Sequence, residues 1–155
     1  ISFFKQRLHF VLGEKAISTC FIDATLTLNI PLLKKRLDFL KKITAHQHHE
    51  NIIDAAVRTA NICQSFSETP HVEPKLFECP EENTLYNSYI EAQKHASLNW
   101  DTSLIDMLLI LARDLDAFFN EVMVMTDNLK QRKNRLSLMK MIHSLFSQFA
   151  NFKSL

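Results

Sequence analysis

The chain has 155 residues, of which 46% are hydrophobic and 23% are charged, a composition that fits one globular domain and excludes a disordered chain. It contains a single glycine, Gly13, which excludes the glycine-rich loops of dinucleotide-binding and P-loop proteins and makes an all-β fold improbable. The formal net charge is only +1, an average that hides a strong pattern along the chain.

Apolar residues recur at helical spacing through almost the whole sequence, and strict alternation is nearly absent. A first helical stripe lies within residues 3–12 and ends at Gly13, and a second lies within residues 17–28. Pro31 is expected to be the first residue of a third helix, because the N–H that proline lacks would be unpaired there anyway. A fourth helix is expected from about Glu50.

Residues 67–80 contain three of the four prolines, which predicts a connecting loop rather than a domain boundary. Pro80 is expected to open a fifth helix, with Ile90 on its inner side. Ser103 and Asp106 have the spacing of a capping box, and this predicts the start of a sixth helix.

A seventh helix is expected to begin after a cap at Thr126 or Asp127 and to run to about Ala150. The sequence therefore predicts an all-α bundle of about seven helices, with residues 1–155 forming one helical domain. Because residue 1 is Ile rather than Met, we expect the chain to be a fragment cut from a longer polypeptide.

The cysteines are odd in number and far apart, at Cys20, Cys63 and Cys79. This usage favours buried thiols in a reducing compartment over a disulfide framework. The longest purely apolar run is residues 107–112, whereas a membrane span needs about 20 apolar residues. We therefore expect a soluble, cytoplasmic protein with no membrane partner.

Charge is distributed in blocks along the chain. Residues 1–50 have a net charge of +4, residues 51–67 are balanced, and residues 68–127 have a net charge of −9. Residues 128–155 contain six basic residues and no acidic one. This asymmetry is typical of a basic surface that binds an anionic partner, although acidic and basic helices that pack on each other would give the same pattern.

No arrangement of side chains indicates catalysis or a metal site. There is no serine elbow, no Cys/His pair at a recognisable spacing and no pair of Cys-x-x-Cys type. Asp114 and Asp116 point to different sides of a helix and predict a solvated acidic surface. His46, His48 and His49 lack the further ligands that zinc requires, so a polar helix end or loop is the preferred interpretation.

The outer face of the fourth helix carries Asp54, Arg58 and Asn61. Asp54 and Arg58 are four residues apart, which predicts an ion pair on the helix surface. The alternative is a face whose donors reach phosphates and base edges of a nucleic acid. Taken alone, this helix favours the ion pair.

The last helix has a similar polar face. Lys130, Lys133 and Lys140 are expected on its outer side, with Ser137 beside them. No packing requirement explains these lysines. A solvated face is one interpretation, and the absence of interspersed acidic residues favours an anionic partner.

Two arginines of this helix are expected to differ in role. Arg132 falls at the margin of the polar face. Arg135 falls toward the apolar side, so we expect a buried ion pair between Arg135 and an acidic residue of the sixth helix, such as Asp116 or Glu121.

Two segments carry a resemblance to a known family. Residues 116–125 read Asp-Ala-Phe-Phe-Asn-Glu-Val-Met-Val-Met and are followed by Asn-Arg-Leu at 134–136. Residues 58–62 read Arg-Thr-Ala-Asn-Ile, with Val57 before them, and are similar to a Lys-Arg-x-x-Asn-Ile helix. The chain resembles, over essentially its whole length, the C-terminal end of the β subunit of bacterial-type glycyl-tRNA synthetase.

The resemblance implies a helical anticodon-binding domain that is shared in outline with arginyl-tRNA synthetase and named for an Asp-Ala-Leu-Arg motif. Here residues 128–131 read Asn-Leu-Lys-Gln before Arg132, so Gln131 replaces the leucine of the motif. It also implies that the catalytic site, with its ATP and Mg, lies in the α subunit or an α-like catalytic region. This chain would then contain no catalytic site, metal or cofactor of its own.

The implied partners are glycine tRNA and the α subunit, with no DNA. Glycine codons begin with two guanines, so the anticodon ends in two cytosines. A protein reads cytosine with hydrogen-bond acceptors for the N4 amine and with donors for the remaining acceptor atoms of the base. We expect Arg58, Asn61 and Arg132 near the bases and the three lysines at phosphates. The alternatives are a helical module that binds an acidic partner protein and an arginyl-type anticodon-binding domain.

Overall fold

The computed structural model describes residues 2–13, 17–27 and 29–155. Over these ranges it contains seven α-helices and no strand, so the prediction of an all-α bundle is confirmed. Two single 3₁₀ turns follow α4 and α7. The bounds are Ser2–Gly13 (α1), Thr19–Thr25 (α2), Ile30–Thr44 (α3), His49–Ile62 (α4), Pro80–Ala96 (α5), Thr102–Glu121 (α6) and Leu129–Phe149 (α7), with 3₁₀ turns at Pro74–Leu76 and Phe152–Ser154.

Helix α6 lies at the centre of the core, packed between α4 and α5, and α7 packs on α4. The leucines of α6 at positions 104, 108, 111 and 115 are fully buried, because spacings of three and four residues put them on one face of the helix. Burying one such side chain stabilises the fold by about 1.5–3 kcal/mol. At one end of the core, Phe149 contacts Phe39 of α3 and Trp100, with ring centroids 5.1 and 4.8 Å apart.

The helix starts differ in detail from those expected. Asn128 caps α7, and neither Thr126 nor Asp127 does, because the Asn128 side chain accepts from the N–H groups of Lys130 and Gln131. In the same way Asp101 caps α6, which places both residues of the expected capping box inside the helix. In both helices the cap is the residue whose side-chain oxygen reaches the free N–H groups of the first turn.

Helix α3 begins one residue earlier than expected, so Pro31 is its second residue and Asn29 is its cap. Helix α2 is shorter than its apolar stripe and leaves Ile17 outside, while Leu28 lies outside the described residues. Ile90 is exposed, which corrects its expected place on the inner side of α5.

Replacing Asn128 with alanine is expected to lower the free energy of unfolding by about 1 kcal/mol, because two N–H groups of the first turn of α7 lose their acceptor. Urea unfolding would measure the change. Asn83→Ala, at an exposed position inside α5, is the control and should change stability by less than about 0.5 kcal/mol. Equal values for the two variants would show that the cap contributes nothing.

No helix in the described ranges is long and apolar enough to cross a membrane.

The three cysteines are free thiols, with Cys63 buried and Cys20 and Cys79 half-buried.

Candidate nucleic-acid interface

The first turns of α7 carry exposed lysines beside a shallow cleft. Lys130 and Lys133 line this cleft together with the segment that contains the first 3₁₀ turn, and its volume is about 400 Å³. Asn134 fixes that segment, since its Oδ1 accepts from the N–H of Glu73 at 2.7 Å and its Nδ2 donates to the Glu73 carbonyl. The cleft therefore has a fixed floor and two exposed lysines at its side.

Lys133 forms an ion pair with Glu68 of the loop after α4, and both side chains are more than half exposed. An ion pair of this kind contributes about 0–1 kcal/mol. The Lys133 ammonium can therefore exchange its carboxylate partner for another anion at little cost.

Arg132 is half-buried and donates from Nε to the carbonyl of Thr126 at 2.8 Å. The bond ties the start of α7 to the connection from α6. The bond uses one of the five donors of the guanidinium, and the expected contact of Arg132 with bases stays a prediction.

Lys140 is half-buried near the C-terminal end of α4. Burial lowers the pKa of the neighbouring His143 below its usual 6.5, and the charges of Lys140 and Lys153 lower it further. This corner of the protein is therefore electropositive. Ser137, which was expected beside the lysines, is fully buried, and its hydroxyl has no hydrogen-bond partner among the described residues.

Arg58 pairs with an acidic residue of another helix. Its Nη1 lies 2.6 Å from Oδ1 of Asp116 on α6, so the expected pair with Asp54 on its own helix is wrong. The guanidinium carbon lies 4.2 Å from the ring centroid of Phe119, also on α6. Asn51, Asp54 and Val57 complete an open cleft of about 330 Å³ around this pair.

Asn61 lies one turn beyond Arg58 on the outer face of α4 and is exposed. Arg58 and the lysines Lys130 and Lys133 line two different clefts, one between α4 and α6 and the other beside the start of α7. The structure therefore places Arg58 apart from these two lysines, and Asn61, Arg132 and Lys140 line neither cleft.

Asp114 is buried, and the expected solvated position is wrong. Ser88 of α5 donates to its Oδ2, and Arg113 donates to its Oδ1 from Nε and Nη2. Because these donors replace water, the carboxylate can lie between α5 and α6. Only Asp116 of the two remains available at the surface.

Arg135 forms a buried ion pair, but with a different helix from the one expected. Its Nε donates to Glu82 of α5 at 2.8 Å, and its Nη1 donates to the carbonyl of Met123. Asp116 pairs with Arg58, and Glu121 is exposed at the end of α6. Arg135 is therefore a structural residue that joins α5, α7 and the connection between α6 and α7.

The histidine cluster forms the turn between α3 and α4. The His46 Nδ1 accepts from the His48 N–H, and the His49 ring nitrogen Nδ1 donates to the His46 carbonyl. Across the described part of the chain, no three His, Cys, Asp or Glu side chains are grouped closely enough to hold a metal ion.

Two neighbours of Arg58 were not found from the sequence. The sequence predicts a solvated surface for Asp116 and assigns no role to Phe119. Their separation from Arg58 by about 60 residues gives no local signal, because the contact depends on how α4 packs on α6.

No model of a known protein family matches the chain. The chain is similar to curated glycine–tRNA ligase β subunits. It is 33% identical to that of Desulfatibacillum aliphaticivorans, over 98% of the chain and 23% of the relative. It is 31% identical to that of Syntrophus aciditrophicus, over 98% of the chain and 23% of the relative. It is 32% identical to that of Rickettsia bellii, over 100% of the chain and 23% of the relative. The chain spans about a quarter of the length of these relatives. The expected resemblance to the β subunit is confirmed over nearly the whole of the chain.

Proposed function

We propose that this chain is part of the β subunit of a glycine–tRNA ligase and that residues 1–155 form one domain that binds the anticodon arm of glycine tRNA. Binding would position the acceptor end at a catalytic site elsewhere in the enzyme. The observation that carries the proposal is the similarity to β subunits of this ligase over at least 98% of the chain. The partners are then glycine tRNA and the α subunit or an α-like catalytic region, which supplies the ATP and Mg chemistry, in the cytoplasm.

The start of α7 supports a contact with the RNA backbone. Lys130 and Lys133 extend from one helix beside an open cleft. Residues 128–155 contain no acidic side chain, so the acids near these lysines come from the loop after α4, where Glu68 pairs with Lys133 and Glu73 lines the cleft. Lys140 adds a cationic group in the electropositive corner beside His143. Lysines bind phosphate as point charges and fix the register of the RNA without reading its sequence.

The outer face of α4 supports a contact with bases. Arg58 and Asn61 are exposed one turn apart, and arginine and asparagine both offer donors to base edges. Arg132 adds a further donor group near the bases, with its Nε bonded to the carbonyl of Thr126.

The proposal is tested by titrating the chain with glycine tRNA and with transcripts in which either of the last two anticodon bases is replaced. We expect each replacement to weaken binding by roughly tenfold, because a base contact contributes about 1–3 kcal/mol. The slope of log K against log salt should be about −0.7 for each phosphate contact. Unchanged affinity after both replacements would remove the anticodon function.

A second candidate function is the docking of an acidic partner protein. It is favoured by an apolar cleft of about 480 Å³ between α1 and α3, lined by Val11, Leu33 and Leu37, with Lys34 and Lys41 beside them. Such a cleft fits an amphipathic segment with acidic flanks. The same titration separates the two functions, because protein docking predicts no dependence on the anticodon bases.

A further inference from the structure

We propose that the ion pair between Arg58 and Asp116 recognises one cytosine of the anticodon, with Asp116 accepting from N4 and Arg58 donating to N3 and O2. This inference rests on the proposed function and assigns a reading role to an acidic residue that sequence analysis placed on a solvated surface. The pair is formed across two helices, α4 and α6, and its two atoms lie 2.6 Å apart.

The pair offers the hydrogen-bond pattern that cytosine requires. The contact with Arg58 uses Oδ1 of Asp116, which leaves Oδ2 as an acceptor, and it uses one of the five N–H donors of the guanidinium. An acceptor next to two donors is the pattern that guanine presents to cytosine in a base pair. Cytosine matches it at all three positions, adenine matches at two, uracil matches at one, and guanine in the same orientation matches at none.

Phe119 fixes the orientation of the guanidinium. The Arg58 carbon Cζ lies 4.2 Å from the centroid of the Phe119 ring, a distance at which the positive charge is attracted to the aromatic face. Phe119 is itself held edge-to-face against the buried Phe118, with centroids 5.7 Å apart. The donors of Arg58 therefore have a defined direction before RNA binds, which lowers the entropy lost on binding.

The surroundings of the pair have room for a base. The cleft that contains Arg58 and Asp116 has a volume of about 330 Å³, which is at the small end of the range for ligand pockets. The Arg58 and Asp116 side chains are 45% and 62% exposed. An ion pair this exposed adds little to stability, so Asp116 can exchange part of its contact with Arg58 for a contact with a base without weakening the fold.

The test compares wild type with Asp116→Asn for binding to RNA hairpins that carry the glycine anticodon loop, with each cytosine replaced in turn by uracil. Wild type should prefer cytosine to uracil by roughly 10- to 100-fold at one position. The asparagine amide can accept from N4 of cytosine or, when turned over, donate to O4 of uracil. The preference at that position should therefore fall by about tenfold in the variant, with uracil binding improved.

Asp106→Asn is the matched control, because it removes the same charge from an exposed position of α6, about 15 Å along the helix. It should leave the preference unchanged. Far-ultraviolet circular dichroism would establish that both variants fold. If wild type prefers cytosine and Asp116→Asn weakens all hairpins equally, the pair is only a structural or electrostatic contact and the inference is overturned. If wild type itself shows no preference, the proposed anticodon function fails instead.

Discussion

Replacing Glu82 with alanine is expected to lower the free energy of unfolding by about 3–5 kcal/mol, the largest single effect that we predict. Glu82 and Arg135 are 1% and 6% exposed in their side chains, so the change removes the buried partner of the guanidinium and leaves the exposed Glu78 carboxylate, 4.0 Å away, as its acidic neighbour. It also removes the acceptor for two backbone N–H groups, those of Glu78 and Cys79, which bond to Oε2 at 2.8 and 3.0 Å. The start of α5 and its contact with α7 would both be weakened.

Urea unfolding would measure this effect, with Glu81→Ala as the control. Glu81 neighbours Glu82 in the first turn of α5 and carries the same charge near the helix N-terminus, where it contributes about 0.3–1 kcal/mol. If the two variants lose equal stability, Glu82 acts only through the helix dipole and the buried network contributes nothing further.

The same network predicts a dependence on pH. Burial alone would raise the pKa of Glu82, but the hydrogen bonds from Arg135, Cys79 and Glu78 outweigh it and hold the pKa below its usual 4.5. A carboxylate with a depressed pKa in the folded state contributes stability that is complete above the unfolded pKa and is lost as the pH falls through the folded pKa. The stability difference between wild type and Glu82→Gln should therefore be constant at neutral pH and shrink below about pH 4.5.

The fold was largely predictable because each helix is specified by a local pattern of apolar residues, prolines and capping residues in the sequence. The buried face of α6 repeats at spacings of three and four residues, and Pro80 opens α5 as expected. The errors lie at positions where several polar residues compete for one role. Thr126, Asp127 and Asn128 are all good caps, and the choice among them depends on how the connection from α6 turns, which Arg132 fixes by bonding to Thr126.

The polar contacts between helices were much less predictable. Arg135 was expected to be buried and paired, since it falls on the apolar side of its helix, but periodicity does not specify which neighbouring helix supplies the acid. Asp114 and Asp116 look equivalent in the sequence, yet one is enclosed by Ser88 and Arg113 and the other meets Arg58 at the surface. Such differences depend on the packing angles of α4, α5 and α6.

Reversing two charges at the start of α7, in the double variant Lys130→Glu and Lys133→Glu, is expected to weaken binding of glycine tRNA by roughly 100-fold at low salt. Each substitution would remove a contact between an ammonium group and a phosphate and would add repulsion between a carboxylate and that phosphate. Loss of two phosphate contacts should also make the log–log salt slope shallower by about 1.4. Because phosphates carry no sequence information, the double variant should bind the tRNAs with replaced anticodon bases more weakly by the same factor as it binds glycine tRNA.

The double variant Lys42→Glu and Lys94→Glu provides the control for net charge, since it makes the same change of four charges at exposed positions of α3 and α5 that lie outside both clefts. It should change affinity by a few-fold and leave the salt slope intact. An equal loss of affinity in this variant would mean that the RNA senses only overall charge. A double variant at Lys130 and Lys133 that loses discrimination between anticodon bases, rather than overall affinity, would instead place the start of α7 at the bases and Arg58 away from them. The salt slope and the base preference therefore separate the two clefts experimentally, since one is expected to hold the backbone and the other to read a base.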